Sequence, residues 1–152
     1  MEQDKKISLT KIYQAPIETV WKAITERKQL KEWYFDFSED FKLEIGNTFE
    51  WYGGEPGGKQ WLHRGKMVEI IENKRLIHTW EYPGYTGIST ITWELKAIDE
   101  KTTELYFTHD FTIPFEPNEE ALRRESFLAG WEYILNIGWP EYLNKIQLKK
   151  NI

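Results

Sequence analysis

Apolar residues along this chain switch period twice. In "KKISLTKIYQ", Ile7 and Leu9 alternate with Ser8 and Thr10, the period of a strand. After Ala15 the spacing becomes helical. Ile17, Val20, Trp21 and Ile24 stand at i, i+3, i+4 and i+7, which predicts an amphipathic helix of about two and a half turns. Pro16 suits its first position, where a missing N–H costs nothing. "RKQLKEWY" predicts a second short helix with Leu30 and Trp33 as its apolar positions. Period two then returns in "FKLEIG", "TFEWY", "GKMVEII", "RLIHTWEY", "ISTITWELKAI" and "TELYFTHDF". The oily positions of these segments are Phe49 and Trp51; Leu76, His78, Trp80 and Tyr82; Ile91, Trp93 and Leu95; and Leu105, Phe107, His109 and Phe111. Glu72-Asn73-Lys74 and Asp99-Glu100-Lys101 read as tight turns, so the strands form an antiparallel meander.

The last third is helical again. Asn118 is the expected N-cap of "NEEALRRESFLAGWEYILNI", with Glu119 and Glu120 in the first turn. Phe127, Trp131, Ile134, Leu135, Gly138 and Tyr142 make one stripe, and Pro140 predicts a kink or break around Trp139. "TIPFEP" carries the chain from the last strand to this helix. A sheet with one apolar face needs a cover, and only this helix is long enough to supply it. Burying five large side chains contributes about 10 kcal/mol before entropy, so the helix should dock. The expected fold is α+β: a curved antiparallel sheet, two short helices and a long C-terminal helix, in one domain over residues 1–152.

Composition changes this picture in one respect. Aromatic residues make up 16% of the chain, with eight each of Trp, Tyr and Phe. Trp and Tyr bring an N–H or O–H that needs a partner when buried. Such a domain either has a bulky core or a pocket where one end of the ring meets water or ligand. Charge removes other classes. A net charge of -5 argues against a nucleic-acid partner, and the lysines at 145, 149 and 150 read as a solvated helix end. No apolar run is long enough to span a membrane. "MEQDKKISLT" lacks a signal-peptide core, so a cytoplasmic location is expected. The absence of cysteine excludes disulfide and thiolate chemistry.

"IYQAPIETVWKAITERKQLKEWY", "LEIGNTFEW", the glycine in "HRGKMVEI", "RLIHTW", "TELYFTHDF" and "FLAGWEYIL" occur in that order. Together they resemble the activator of heat-shock protein 90 ATPase homologue 1-like family, within the START/polyketide-cyclase/Bet v 1-like (SRPBCC) superfamily. The resemblance runs from about Ile7 to Leu143; the Gly130-Trp131 pair is its most specific piece. It implies a helix-grip fold of about seven strands with a cavity between sheet and C-terminal helix. Members of the superfamily bind sterols, lipids, polyketides or plant hormones there, and a minority do chemistry. The chain departs from the pattern at "IGN", where Asn47 replaces a second glycine, and at Pro140. The eukaryotic co-chaperone has a separate N-terminal domain not found in these 152 residues. A co-chaperone role is therefore not expected to come with the fold.

Other motifs carry less. "YGGEPGGKQW" has the glycines of a phosphate loop, but Lys59 is followed by Gln60 and a strand rather than by Ser/Thr and a helix. It reads as a flexible hairpin that could gate a cavity rim. His63, His78 and His109 lack metal-ligand spacing. The strand of Trp93 should separate His78 from His109 by about 9.6 Å, too wide for one zinc bound at about 2.0–2.1 Å. No metal or cofactor is expected. His109 and Asp110 are adjacent in a strand, so they face opposite ways and form no dyad. Asp36, Glu39 and Asp40 read as solvated loop acids.

The leading expectation is non-enzymatic binding of a small hydrophobic molecule between sheet and helix. Its lining would be Trp33, Phe49, Trp51, Trp80, Tyr82, Trp93, Phe107, His109, Phe127 and Trp131. A chaperone-type protein partner is the second expectation. A cyclase- or hydrolase-like enzyme using His78 or His109 is the third. The first requires space between the rings of the helix and those of the sheet.

Overall fold

The computed structural model describes residues 5–54, 57–116 and 118–150, the last two by backbone alone. The start of "MEQDKKISLT", Glu55 and Pro56 of the glycine loop, Pro117 of the linker and the side chains of Lys149 and Lys150 lie outside the described residues. The chain runs β1 (Lys6–Tyr13), α1 (Ile17–Thr25), α2 (Arg27–Trp33), β2 (Thr48–Gly54), β3 (Gln60–Ile71), β4 (Arg75–Trp80), β5 (Ile88–Asp99) and β6 (Thr102–Ile113). It ends in α3 (Arg124–Tyr133), a π-helical turn (Ile134–Gly138) and α4 (Trp139–Lys150).

One sheet of six strands has the order β1-β6-β5-β4-β3-β2, with every pairing antiparallel. The expected count was about seven. The difference arises at "FKLEIG", which forms turns, not a strand. Asn47 causes this: its side chain accepts from the Lys42 N–H and donates to the Asp40 carbonyl, both at 2.9 Å. Such local side-chain bonds compete with a strand ladder. Gly46 turns the chain at φ +88, leaving Leu43 and Ile45 exposed. The tight turn at Asn73 is as expected, with Asn73 itself at φ +59.

β5 and β6 carry the period-two pattern into the structure. Ser89, Ile91, Trp93 and Leu95 point inward from β5, and Leu105, Phe107, His109 and Phe111 from β6. The C-terminal helix lies over this face, with the Trp131 and Phe107 ring centroids 4.5 Å apart. Register shifts in β3, β5 and β6 bend the ladder locally.

One expectation for the last helix is corrected. The helix starts at Arg124, not after Asn118. Glu120–Leu122 forms a separate 3-10 turn that brings Leu122 into the core, and the Asn118 amide bonds to the Glu116 carboxylate instead. The kink or break expected around Trp139 takes the form of the π turn over Ile134–Gly138, directly before it, and α4 then runs on through Pro140. Wide turns of this kind loosen the ladder ahead of a residue that has no N–H to give. The turn also sets which face is buried. Phe127, Trp131, Leu135 and Trp139 are spaced by four and are all buried. On an ideal helix each step of four drifts by about 40°; the wide turn absorbs the drift and brings Trp139 under the sheet. The Tyr13 hydroxyl donates to the Leu135 carbonyl within the turn at 2.7 Å.

Two glycines test this packing in opposite directions. A Cβ on Gly65 would stand 2.8 Å from Phe49 Cζ and 3.1 Å from the Thr79 carbonyl oxygen. Gly65→Ala should therefore cost about 1–3 kcal/mol. Gly130 meets nothing within 4 Å and is exposed in mid-helix. Gly130→Ala should raise stability by about 0.5–1 kcal/mol. Urea midpoints of the two variants check both signs.

Candidate functional site

Trp131 of α3 is the hub of the space between helix and sheet. Its ring centroid lies 4.5 Å from Phe107, 5.5 Å from Trp80, 5.9 Å from His109, 6.0 Å from Trp93 and 6.2 Å from Tyr34. Its indole N–H donates to His109 Nδ1 at 3.0 Å. An indole only donates, so Nδ1 accepts and the imidazole proton sits on Nε2. Nε2 then donates to Ser89 Oγ at 2.8 Å, and the Ser89 hydroxyl donates to the Trp80 carbonyl at 2.8 Å. One directional chain thus runs from the helix across β6, β5 and β4.

His78 repeats the device. It accepts from Trp93 Nε1 at 3.2 Å, and its Nδ1 donates to the Thr79 carbonyl at 3.0 Å. His78 and His109 both pair with Ile91 of β5, one from each side, as the strand order requires. His63 Nδ1 bonds to the Trp61 carbonyl at 2.8 Å, and its ring stacks on Trp51 at 5.0 Å. Burial is the main force on all three imidazoles. It lowers His63 and His78 to about 4, and His109, with His78 nearby, to about 3.

Between these walls lies the segment after α2, whose rings no period marks as inward. Tyr34 and Phe35 follow α2 and turn inward. Tyr34 stands edge-on to Trp93 at 6.2 Å; Phe35 packs on His63 at 5.8 Å and Trp51 at 6.0 Å. Gly53 makes room for Phe35: a Cβ there would fall on the Phe35 ring. Phe37 and Phe41 continue the plug against Phe49, at 5.0 Å each. The gap left among Tyr34, Phe37, Phe49, His78 and Trp93 is about 10 Å³, near the ~10–15 Å³ minimum for one water. The rings of helix and sheet meet each other and this plug directly, so the open cavity expected between sheet and helix is not there: the segment after α2 occupies it.

The hydroxyl of Tyr34 is buried without a hydrogen-bond partner among the described protein groups, as are the indole N–H groups of Trp51 and Trp139. Each such group costs about 1–3 kcal/mol. Burial, with Tyr82 close by, raises the Tyr34 hydroxyl well above its ordinary pKa.

Nine of the ten expected lining residues, from Phe49 to Trp131, meet in one ring network around the plug, and all nine are buried. Trp33 joins it from behind the plug, stacked on Tyr34 at 4.9 Å and on Trp139 at 5.1 Å, and its N–H donates to the Ala23 carbonyl. The residues the pattern missed are Tyr34, Phe35, Phe37, His63, Ser89 and Trp139. The dense run "WYFDF" was a signal for three of them, but it has neither helical nor strand period. Asp36, within it, is exposed and pairs with Arg27 at 3.6 Å. Asp110 points outward while His109 is fully buried.

A six-stranded antiparallel sheet closed by a C-terminal helix across an aromatic interior defines a helix-grip protein. Residues 14–148 match the model of the family described as Activator of Hsp90 ATPase homolog 1-like protein, and the chain belongs to that family. No curated protein matches it in sequence. CV1439 from Chromobacterium violaceum superposes with a TM-score of 0.75 at 18% identity, over 91% of this chain and 96% of that one. CalU16 from Micromonospora echinospora gives 0.69 at 22%, over 95% and 79%. An Hsp90 activator from Plasmodium falciparum gives 0.66 at 21%, over 84% and 87%. At these identities the likeness is one of fold. Among the described residues, no helix is long and apolar enough to cross a membrane.

The buried imidazoles make stability depend on pH. Below about 6.5 the unfolded chain takes up protons at His63, His78 and His109, whereas the folded chain refuses them until about pH 4 or below. Stability therefore rises with pH across this window, by about 1.4 kcal/mol per unit for each imidazole. Urea midpoints should fall steadily from pH 7 to pH 5, and His63→Gln should remove about a third of the slope. A flat midpoint would contradict the burial.

Proposed function

We propose that the chamber between sheet and C-terminal helix binds a small, flat, hydrophobic molecule, and that Tyr34 and Phe35 fill it when the ligand is absent. The observation that carries this reading is the Tyr34 hydroxyl: a polar group held in an aromatic interior with no partner among the described protein groups. A plug that leaves a hydroxyl unsatisfied is easier to displace than an all-carbon one, since withdrawal to water recovers about 1–3 kcal/mol. The plug sits on an irregular segment, residues 34–47, rather than inside a helix or strand. Its exit would leave Phe49, Trp51, Trp80, Tyr82, Trp93, Phe107, His109, Phe127 and Trp131 as walls. Pockets of this class are mostly apolar with a few fixed polar groups. Trp33, stacked on Trp139 at the end of α2, would anchor the segment while Tyr34 and Phe35 swing.

The family also makes a chaperone partner a reasonable second class; the plug favours the small molecule. Acid–base chemistry is not part of the proposal. The three imidazoles are held buried and neutral, and none is poised near neutrality as a general base requires.

The test uses N-phenyl-1-naphthylamine, a flat neutral fluorophore. It should bind the native protein with quenching of Trp emission. Tyr34→Ala combined with Phe35→Ala should bind it at least about tenfold more tightly, because the competent state no longer has to be populated against the plug. Near-UV circular dichroism confirms that the double variant is folded. Absence of binding to both folded proteins would overturn the proposal.

A further inference from the structure

A second cavity, of about 270 Å³, lies outside the aromatic chamber, where the end of β6 and its connector meet the start of α3. Its floor is apolar: Phe111, Phe115 and Leu122. All three are buried, and Phe111 and Phe115 back onto Phe127 at 5.4 and 5.6 Å, which walls this cavity off from Trp131. Its rim is charged. Among the described residues, Lys5, Arg123 and Arg124 line it together with one carboxylate, Glu125. In a chain of net charge -5 this is a local reversal of sign.

Arg124 is fixed there. Its Nε and Nη2 donate to the Lys6 carbonyl at 3.3 and 3.0 Å, so a neutral oxygen holds the guanidinium in place. Among the described residues Arg124 makes no ion pair. The start of α3 adds to the same field: no side chain caps it, and the positive end of the helix dipole lies at the rim.

We infer that this cavity binds an amphipathic carboxylate, an aryl or medium-chain acid whose apolar body lies on Phe111, Phe115 and Leu122 and whose carboxylate meets the Arg123, Arg124 and Lys5 rim. The volume sets the size. It lies just under the ~300 Å³ at which sites for drug-sized ligands begin, so the body is a fused ring pair or a short chain. The planar guanidinium fork selects carboxylate geometry, and the apolar floor rejects a fully hydrated inorganic anion. This inference does not rest on the chamber reading, since the two spaces share no lining residue.

The probe is 2-naphthoate, with 2-naphthalenemethanol as its uncharged counterpart. Titrated into the native protein and followed by backbone amide and indole NMR signals, 2-naphthoate should shift residues 111–125 and leave the indole signals of Trp93 and Trp131 in place. The alcohol should bind at least about tenfold more weakly, and raised salt should weaken the acid. Arg123→Gln with Arg124→Gln should weaken 2-naphthoate about tenfold or more. Lys5→Gln, which disturbs no described hydrogen bond, should weaken it severalfold without altering the melting temperature. Equal affinity for acid and alcohol, shifts centred on the indoles, or no shift at millimolar 2-naphthoate would each overturn the inference.

Discussion

The fold turns on how an aromatic interior satisfies its own polar edges. Large rings bury much apolar area, but each tryptophan and tyrosine brings a hydrogen that must find an acceptor once water is excluded. For Trp131 and Trp93 the acceptors are histidines. Trp131 gives its N–H to His109, and His109 passes the direction on through Ser89 to a carbonyl of the next strand. Trp93 does the same with His78. The first chain ties the closing helix to three strands at once. It also explains why polar histidines occupy buried positions of β4 and β6: a carbon side chain there would strand two indoles.

This arrangement locks the imidazoles in neutral form, and that shapes which functions the interior suits. A histidine that accepts from an indole and donates to an oxygen has both nitrogens engaged. Its work is structural and orientational. The groups left over are different in kind. Among the described residues, Tyr34, Trp51 and Trp139 each keep a buried polar hydrogen without a protein partner, and Tyr34 sits on a loop. Where a rigid wall meets an imperfectly satisfied loop, the loop is the part that gives way. The membership of a family built on the helix-grip fold is compatible with that reading, although the fold itself hosts many functions.

Much of the architecture was legible in the pattern of residues. Period two in β4, β5 and β6 and helical period in α1 marked both the elements and their inward faces, because burial selects side chains in step with backbone geometry. The strand between His78 and His109 followed from chain order alone. Less legible were features set by a few hydrogen bonds. Asn47 closes a loop where "FKLEIG" alternates like a strand. The π turn before Pro140 re-aims Trp139, which no regular period would bury beside Phe127 and Trp131. Of the site, nine wall residues stood out as inward aromatics. Tyr34 and Phe35 did not, since an irregular segment has no period to show which way a ring points.

The amino-acid sequence by itself determined that a sheet with one oily, aromatic face would be covered by the last helix, because no other element could hide that much apolar surface. It could not decide whether facing rings leave a gap. Composition counts rings and period orients them, but volume depends on how close two layers come and on what enters from the side. Only the tertiary structure settled that: the segment after α2 folds inward, its two rings fill the space, and Gly53, bare of a side chain, gives Phe35 its seat.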